Sequence, residues 1–147
     1  MYTYQPVGTT ELIEKFICSM MWDGKKNIAR GIYQDCLDQL KKMGHKTPQE
    51  SFERALRNIM PQVEVRPKRV GGAVYQIPRE VNSKRQVSLS IRWLLAVCRK
   101  RKGKAMADKL AFEINEAFNE QGDVFKKKID VQKMAEANKA FAHLANY

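Results

Sequence analysis

Apolar residues recur every three or four positions over most of the chain, which is the spacing of one face of an α-helix. The first such segment follows Thr9 and Thr10, either of which can cap a helix. Its apolar members are Leu12, Ile13, Phe16, Ile17 and Met20. Similar segments cover residues 27–43, 48–60, 83–102 and 104–119, and a last one is expected to begin at Asp130. The pattern predicts about six helices.

Residues 62–79 break this helical pattern. Val63 and Val65 alternate with polar residues, and residues 74–78 are rich in β-branched and aromatic side chains. Between them, Gly71 and Gly72 permit the positive φ angles of a tight turn. We therefore predict a mainly α fold. It is a single domain over residues 1–147, a bundle of about six helices with a β-hairpin arm inserted between the third and fourth.

The positive charge of the chain is concentrated in one segment. Residues 66–104 hold twelve Lys or Arg residues and one acid, Glu80, so their net charge of +11 equals that of the whole chain. The remaining residues balance to zero. A concentrated positive field attracts a polyanion, and nucleic acid is the commonest polyanion in a cell.

The fourth predicted helix carries a stripe of arginines. Arg85, Arg92 and Arg99 are seven residues apart and so lie on one side of the helix, opposite its apolar face. The apolar face consists of Val87, Ile91, Leu94 and Cys98. No acidic residue lies on this helix, unlike an ordinary solvated helix of mixed charge, so we predict direct phosphate contact. Trp93 lies between the faces, and we expect it to pack in the core.

A second group of cations lies near the end of the chain. Lys126, Lys127 and Lys128 follow the turn-forming sequence Gln-Gly-Asp at 121–123. We expect these lysines to lie in a loop before the last helix. In that position they would add a second phosphate contact.

The sequence offers no residues for catalysis, metal binding or cofactor binding. His45 and His143 have no Cys or carboxylate partner at ligand spacing, and no phosphate-binding glycine loop or nucleophile elbow occurs. Cys18, Cys36 and Cys98 match no metal motif, and we expect three buried, reduced thiols. No apolar run is long enough to span a membrane, and the start of the chain lacks a secretory signal pattern. We therefore predict that the protein is not an enzyme and that it binds no metal or cofactor. We also predict no small-molecule substrate and no membrane partner.

Four segments resemble the family of bacterial-type small-subunit ribosomal protein seven. They are MMWDGKKNIA at 20–29, VEVRPKRVGGAVYQIPREV at 63–81, SLSIRWLLAVCRKRKGKAMADKLAFEI at 88–114 and KKKIDVQKMAEANKAFAH at 126–143. The likeness covers nearly the whole chain in order. It implies a helical bundle with an extended hairpin, in agreement with the hydrophobic pattern.

The resemblance also implies partners and a place in the ribosome. Members of the family bind the 3′ major domain of small-subunit rRNA, nucleate assembly of the subunit head, and hold their hairpin near the exit-site tRNA and the mRNA path. Neighbouring head proteins are further expected partners. Residues carried over as RNA-binding are Lys25, Lys26, Arg66, Lys68, Arg69, Arg79, Lys84, Arg85, Arg92, Arg99, Lys100, Arg101, Lys102 and Lys104. Val70, Gly71 and Gly72 would form the hairpin tip near exit-site RNA.

The sequence departs from the family pattern at three places. Only about ten residues precede the first helix, the chain ends in LANY, and the hairpin carries Pro67 and Arg79 where ordinary strand residues are expected. These departures favour an organellar ribosome, with the mitochondrion preferred to the plastid and a bacterial cytoplasm left open.

Two other nucleic-acid functions stay open from the sequence. The first is a translational repressor that binds an mRNA leader, since the same basic surface would serve. The second is a DNA-architectural protein, because some of these use a basic hairpin arm on a helical body. Such arms usually insert an apolar wedge at the tip, whereas this tip reads Val-Gly-Gly-Ala.

Overall fold

A computed structural model describes residues 8–146 of the chain. Its elements in order are α1 (Glu11–Met20), α2 (Lys26–Lys42), α3 (Pro48–Asn58), β1 (Val63–Val70), β2 (Ala73–Glu80), α4 (Ser83–Lys100), α5 (Met106–Phe118), α6 (Gly122–Ala137) and a 3₁₀ helix (Lys139–Asn146). This confirms the predicted fold class, with the hairpin between the third and fourth helices.

The helices enclose one continuous apolar core. α5 packs against α2, α3, α4 and α6, and its Leu110 and Ile114 are fully buried. Phe52 of α3 meets Phe16 of α1 and Tyr33 of α2 edge to face, with ring centroids 4.9 and 5.2 Å apart. The buried face of α4 completes the core, so the opposite side of α4 is directed to solvent.

The hairpin is a two-stranded antiparallel sheet that leans on the helical body. Its register runs from Val63 opposite Glu80 to Val70 opposite Ala73. Gly71 and Gly72 connect the strands with φ angles of 58° and 86°, the left-handed pair that a two-residue turn requires. The base is anchored by the buried Ile77, and both strands contact α6. The tip at Gly71 and Gly72 is exposed.

The last helix differs from our prediction. It begins at Gly122 and not at Asp130, so Lys126, Lys127 and Lys128 lie on α6 and the expected loop is wrong. The apolar pattern is weak here because only Val124 and Ala135 of α6 are buried. A helix that buries so little carries little periodic signal in its sequence.

The predicted burial of the three cysteines is wrong in part. Cys36 and Cys98 are buried, but Cys18 is exposed on α1. Burial raises the pKa of the Cys98 thiol to about 12, and it raises the pKa of Cys36 as well. Trp93 is buried as expected.

Candidate nucleic-acid interface

The candidate interface is the set of lysines and arginines predicted to contact RNA, and the fold divides them into two groups. In the first group, each side chain is exposed and makes no hydrogen bond, ion pair or ring contact within residues 8–146. We call these the unpaired cations. They are Lys25, Arg69, Arg79, Lys84, Arg92, Lys100, Lys102, Lys104 and Lys126. The others, which we call the paired cations, are held by the protein itself.

Arg92 is the unpaired cation at the middle of the α4 stripe. It lines a groove between α1 and α4 with a volume of about 340 Å³, whose polar lining also includes Lys15, Ser88 and Arg99. Among residues 8–146, no carboxylate lines this groove. Lys15 was not among the predicted contacts, because it lies on α1 and only the packing of α1 against α4 brings it near the stripe. The groove thus joins three cations from two helices.

Arg85, one end of the stripe, is a paired cation. Its Nε donates to both carboxylate oxygens of Glu64, at 2.9 and 3.0 Å. Arg66 donates to Glu64 Oε1 from the same strand, at 3.0 Å. Glu64 is only 9% exposed, and the two arginines balance the charge of its buried carboxylate. This cluster fixes the base of the hairpin to the start of α4.

Arg101, beyond the other end of α4, is paired as well. Its guanidinium contacts Glu113 of α5 and lies 3.4 Å from Asp123 of α6. Glu113 is 1% exposed, and its burial raises the pKa of its carboxyl group against the opposing effect of Arg101. The side chain also lies over Phe112, 4.5 Å from the ring centroid. Arg101 therefore links α4 to the packing of α5 and α6.

Arg99 and Lys26 occupy the α1–α2 end of the bundle. Arg99 Nη2 lies 3.5 Å from the Met20 carbonyl oxygen, and its guanidinium lies 5.4 Å from the Trp22 ring centroid. Lys26 Nζ is 3.6 Å from Glu14, which Arg30 binds with two hydrogen bonds of 2.7 and 2.8 Å. The Arg30 hydrogen bonds hold the pKa of Glu14 below its usual range. Lys25, beside Lys26, is unpaired.

The hairpin separates its cations along its length. Lys68 donates to the carbonyl oxygens of Leu144 and Ala145, at 3.0 and 3.4 Å, so it ties the arm to the 3₁₀ helix. Tyr75 supports the same contact by packing on Phe141 with centroids 5.1 Å apart. Arg69, next to the tip, is unpaired. Gly71 and Gly72 are exposed, whereas Val70 is half-buried.

The three lysines of α6 also have different surroundings. Lys128 donates to the Asn58 carbonyl oxygen at 2.8 Å, and Lys127 lies 5.9 Å from the ring centroid of Trp93. Lys126 is unpaired. Arg79 and Lys128 meet at a cleft of about 530 Å³ between the hairpin base and α6, which Glu80 and Glu136 also line. This cleft therefore has mixed charge, unlike the groove at Arg92.

Within residues 8–146, no cluster of three or more His, Cys, Asp or Glu side chains could hold a metal ion. His45 contacts Ser51 and Asn115, at 3.0 and 2.9 Å. Among the described residues, no helix combines the length and the apolar character needed to cross a membrane.

Comparison with known proteins identifies the family. The profile of the family described as ribosomal protein S7p/S5e matches residues 2–139. The small ribosomal subunit protein uS7 of Thermoanaerobacter sp. (strain X514) is 51% identical over 138 residues, covering 94% of this chain and 88% of that protein. The proteins of the same name from Lawsonia intracellularis and Solibacter usitatus are each 50% identical, covering 94% and 93% of this chain and 88% of their own lengths. All three relatives are bacterial, and they give no support to the mitochondrial location expected from the sequence. The chain belongs to the ribosomal protein S7p/S5e family.

Proposed function

We propose that the chain is a structural constituent of the small ribosomal subunit that binds the 3′ major domain of small-subunit rRNA and nucleates assembly of the head. Its family is one of ribosomal proteins, a structural and not an enzymatic class. The names of its relatives support the place in the small subunit. The observation that carries rRNA binding is the unpaired Arg92 in a groove lined by cations and no carboxylate.

The unpaired cations provide the affinity in this proposal. Lysine and arginine displace condensed counterions from the RNA backbone, and release of those ions favours binding. A cation that is already neutralised by a carboxylate contributes less, because its field is partly cancelled before RNA arrives. The side chains at Lys84, Arg92, Lys100 and Lys102 are exposed on or next to one helix, so they supply this field together.

The paired cations provide shape in this proposal. Paired RNA hides its base edges in a deep groove, so recognition depends on phosphates, 2′-hydroxyls and junction geometry. Glu64 joins the hairpin base to α4 through Arg85, and Arg66 of the same strand shares its carboxylate. A hairpin held at a fixed angle can match one RNA junction and not another. We further propose that Arg69 and the Gly71–Gly72 tip lie near the exit-site tRNA and the mRNA path.

The test is a pair of charge reversals. Arg92→Glu should weaken binding to a head-domain rRNA fragment by more than about tenfold, because it replaces a phosphate contact with repulsion. Lys42→Glu makes the same change of charge at an exposed position at the end of α2, outside the predicted interface. It should change affinity by less than about threefold, through the small change in overall field.

Both variants must first give wild-type circular dichroism and wild-type unfolding midpoints. If folded Arg92→Glu binds as wild type, or if the two reversals weaken binding equally, the α4 groove is not the RNA contact. An mRNA leader and duplex DNA serve as additional ligands. Tighter binding to either than to the rRNA fragment would favour a repressor or a DNA-architectural protein.

A further inference from the structure

The turn between α1 and α2 presents an exposed tryptophan. Trp22 is 68% exposed, the highest value among the large apolar side chains of residues 8–146, and Ile28 close to it is 60% exposed. Tryptophan is usually among the more buried residues, so its exposure calls for a reason. Phosphate contacts by lysine and arginine do not account for an exposed tryptophan.

The position of Trp22 is fixed by the backbone. Asp23 and Gly24 both have positive φ angles, 53° and 71°, and the N–H of Lys25 donates to the Trp22 carbonyl oxygen at 3.0 Å. This is a tight turn of the type that Asp-Gly sequences favour. The ring therefore stands at the corner of a hydrogen-bonded turn and not on a long loop.

Trp22 forms one wall of a pocket with an apolar floor and two cations. The pocket has a volume of about 240 Å³, and Ile28 and Met106 contribute to its apolar lining. Lys25 and Arg99 are its charged members, and no carboxylate of the described residues lines it. Arg99 already lies 5.4 Å from the Trp22 ring centroid, yet most of the residue remains exposed, so ring surface is left for a ligand.

These features match one class of ligand. A nucleobase offers a flat π face to an indole ring, and base–aromatic stacking with support from arginine is how proteins hold unpaired nucleotides. The phosphate beside that base would meet Lys25 and Arg99. Lysine is depleted at the core of protein–protein contacts, so Lys25 in the lining favours RNA over a protein partner.

We propose that the Trp22 pocket, formed by Trp22, Lys25, Ile28, Arg99 and Met106, binds an unpaired nucleotide of RNA, with its base stacked on Trp22. This inference deepens the proposed function and rests on it. It assigns the α1–α2 end of the molecule to single-stranded RNA, whereas the groove at Arg92 would contact backbone phosphates. Binding in the pocket would therefore require a nucleobase, whereas binding in the groove at Arg92 would not.

The test uses the fluorescence of Trp22 in the full chain. Trp93→Phe removes the buried tryptophan and leaves Trp22 as the reporter. A short oligoadenylate should quench this emission by stacking, whereas an abasic oligonucleotide of equal length and charge should not. Trp22→Ala, measured by anisotropy of a labelled oligoadenylate, should lose at least about fivefold in affinity.

Two control variants separate stacking from other effects. Met43→Ala removes another exposed apolar side chain, 47% exposed at the end of α2 and outside the predicted interface, and should leave oligoadenylate affinity within about twofold. Trp22→Phe keeps an aromatic face and should recover most of the affinity that Trp22→Ala loses.

The outcomes distinguish this inference from the proposed function. Equal quenching by abasic and base-bearing oligonucleotides, or wild-type affinity in Trp22→Ala, would overturn the inference even if the head-domain rRNA fragment still binds. Self-association of the wild type that Trp22→Ala abolishes, with RNA affinity unchanged, would assign the pocket to a protein contact and overturn it too. Failure to bind any RNA would overturn both proposals.

Discussion

Arg85 and Arg92 lie two turns apart on the same side of α4, but their surroundings differ. Arg85 is held by both carboxylate oxygens of Glu64, whereas Arg92 is exposed and has no partner within residues 8–146. The same division separates Arg101, held by Glu113 and Asp123, from Lys100 and Lys102 on either side of it. A basic segment therefore contains two kinds of cation. One kind stabilises the protein, and the other is available to a polyanion.

This difference matters because removal of each kind of cation should change a different property of the protein. Loss of Arg85 or Arg101 removes a counter-charge from a buried carboxylate, Glu64 or Glu113, which destabilises the fold. Loss of an unpaired cation costs the fold little, since surface substitutions away from specific contacts usually change stability by less than about 0.5 kcal/mol. Stability and RNA affinity should therefore respond to different substitutions within one helix.

The largest effect on stability is expected for Arg101→Met. It leaves Glu113, 1% exposed, without the arginine that contacts it, and should lower the free energy of unfolding by about 2 kcal/mol near neutral pH. Chemical denaturation measures this change. The double variant Arg101→Met with Glu113→Gln should recover most of the loss, because the unpaired charge is then absent.

The same variant should show a specific pH dependence. Burial raises the pKa of Glu113, so its proton is bound more tightly in the folded state. The stability that this provides is present below the unfolded pKa and is lost as pH rises through the folded pKa. The deficit of Arg101→Met relative to wild type should therefore be smaller at about pH 5 than at about pH 8. A deficit that grows toward acid would contradict the assigned burial of this carboxylate.

The next largest effects are expected for Arg92→Met and Arg85→Met, which should differ in RNA affinity and in stability. Arg92→Met should lower affinity for the rRNA fragment about fivefold and leave the unfolding free energy within about 0.5 kcal/mol of wild type. Arg85→Met should lose about 1 kcal/mol of stability, with a smaller loss of RNA affinity. Filter binding and denaturant titration on both proteins give the comparison. Identical behaviour of the two variants would remove the distinction between paired and unpaired cations.

Glu64→Gln tests the same division from the acid side. It releases Arg66 and Arg85 from their shared carboxylate, so RNA affinity should rise about two- to threefold by charge alone. The free energy of unfolding should fall by about 1 kcal/mol, because the hydrogen bonds from Arg66 and Arg85 lose their charged acceptor at Glu64. A fall in RNA affinity would instead indicate that the fixed angle of the hairpin contributes more than the released charge.

The smallest effect is expected for Lys68→Met. Its ammonium group holds the Leu144 and Ala145 carbonyl oxygens, so the substitution should speed amide exchange in Lys139–Asn146 and leave the global unfolding free energy nearly unchanged. Hydrogen–deuterium exchange measures this locally. Lys139→Met, an exposed lysine without such a contact, is the control. Equal exchange in both variants would mean that Lys68 does not hold the 3₁₀ helix.

The sequence predicted the helices whose apolar faces are buried, and it predicted the hairpin. The start of α4 at Ser83 behind Asn82 and the turn at Gly71–Gly72 follow from local rules. α6 was predicted eight residues short because it buries little, so its periodic signal is weak. The arginine stripe of α4 and the three lysines of α6 were predicted from the residue pattern, and the other cations of the candidate interface from the resemblance to the family.

The division of those cations was not predictable from the sequence. Arg85 and Glu64 are 21 residues apart on different elements, and only the packing of the hairpin base beside the start of α4 brings them together. Lys15 joins the groove at Arg92 through the packing of α1 on α4. The exposure of Trp22 and Cys18 likewise depends on which side of α1 and of its following turn the rest of the bundle covers. Contacts between distant segments are outside the reach of periodicity and composition.

The central claim is that the unpaired cations supply affinity for RNA while the paired cations hold the shape that selects one RNA, and a binding titration tests it most directly. Wild-type protein would be titrated with a head-domain rRNA fragment, an unrelated RNA of equal length and duplex DNA at several salt concentrations. We predict a strong preference for the head fragment that persists at physiological salt, on top of a shared decline in affinity as counterions compete. Equal affinity for all three ligands, falling together as salt rises, would contradict the claim and leave only a basic surface.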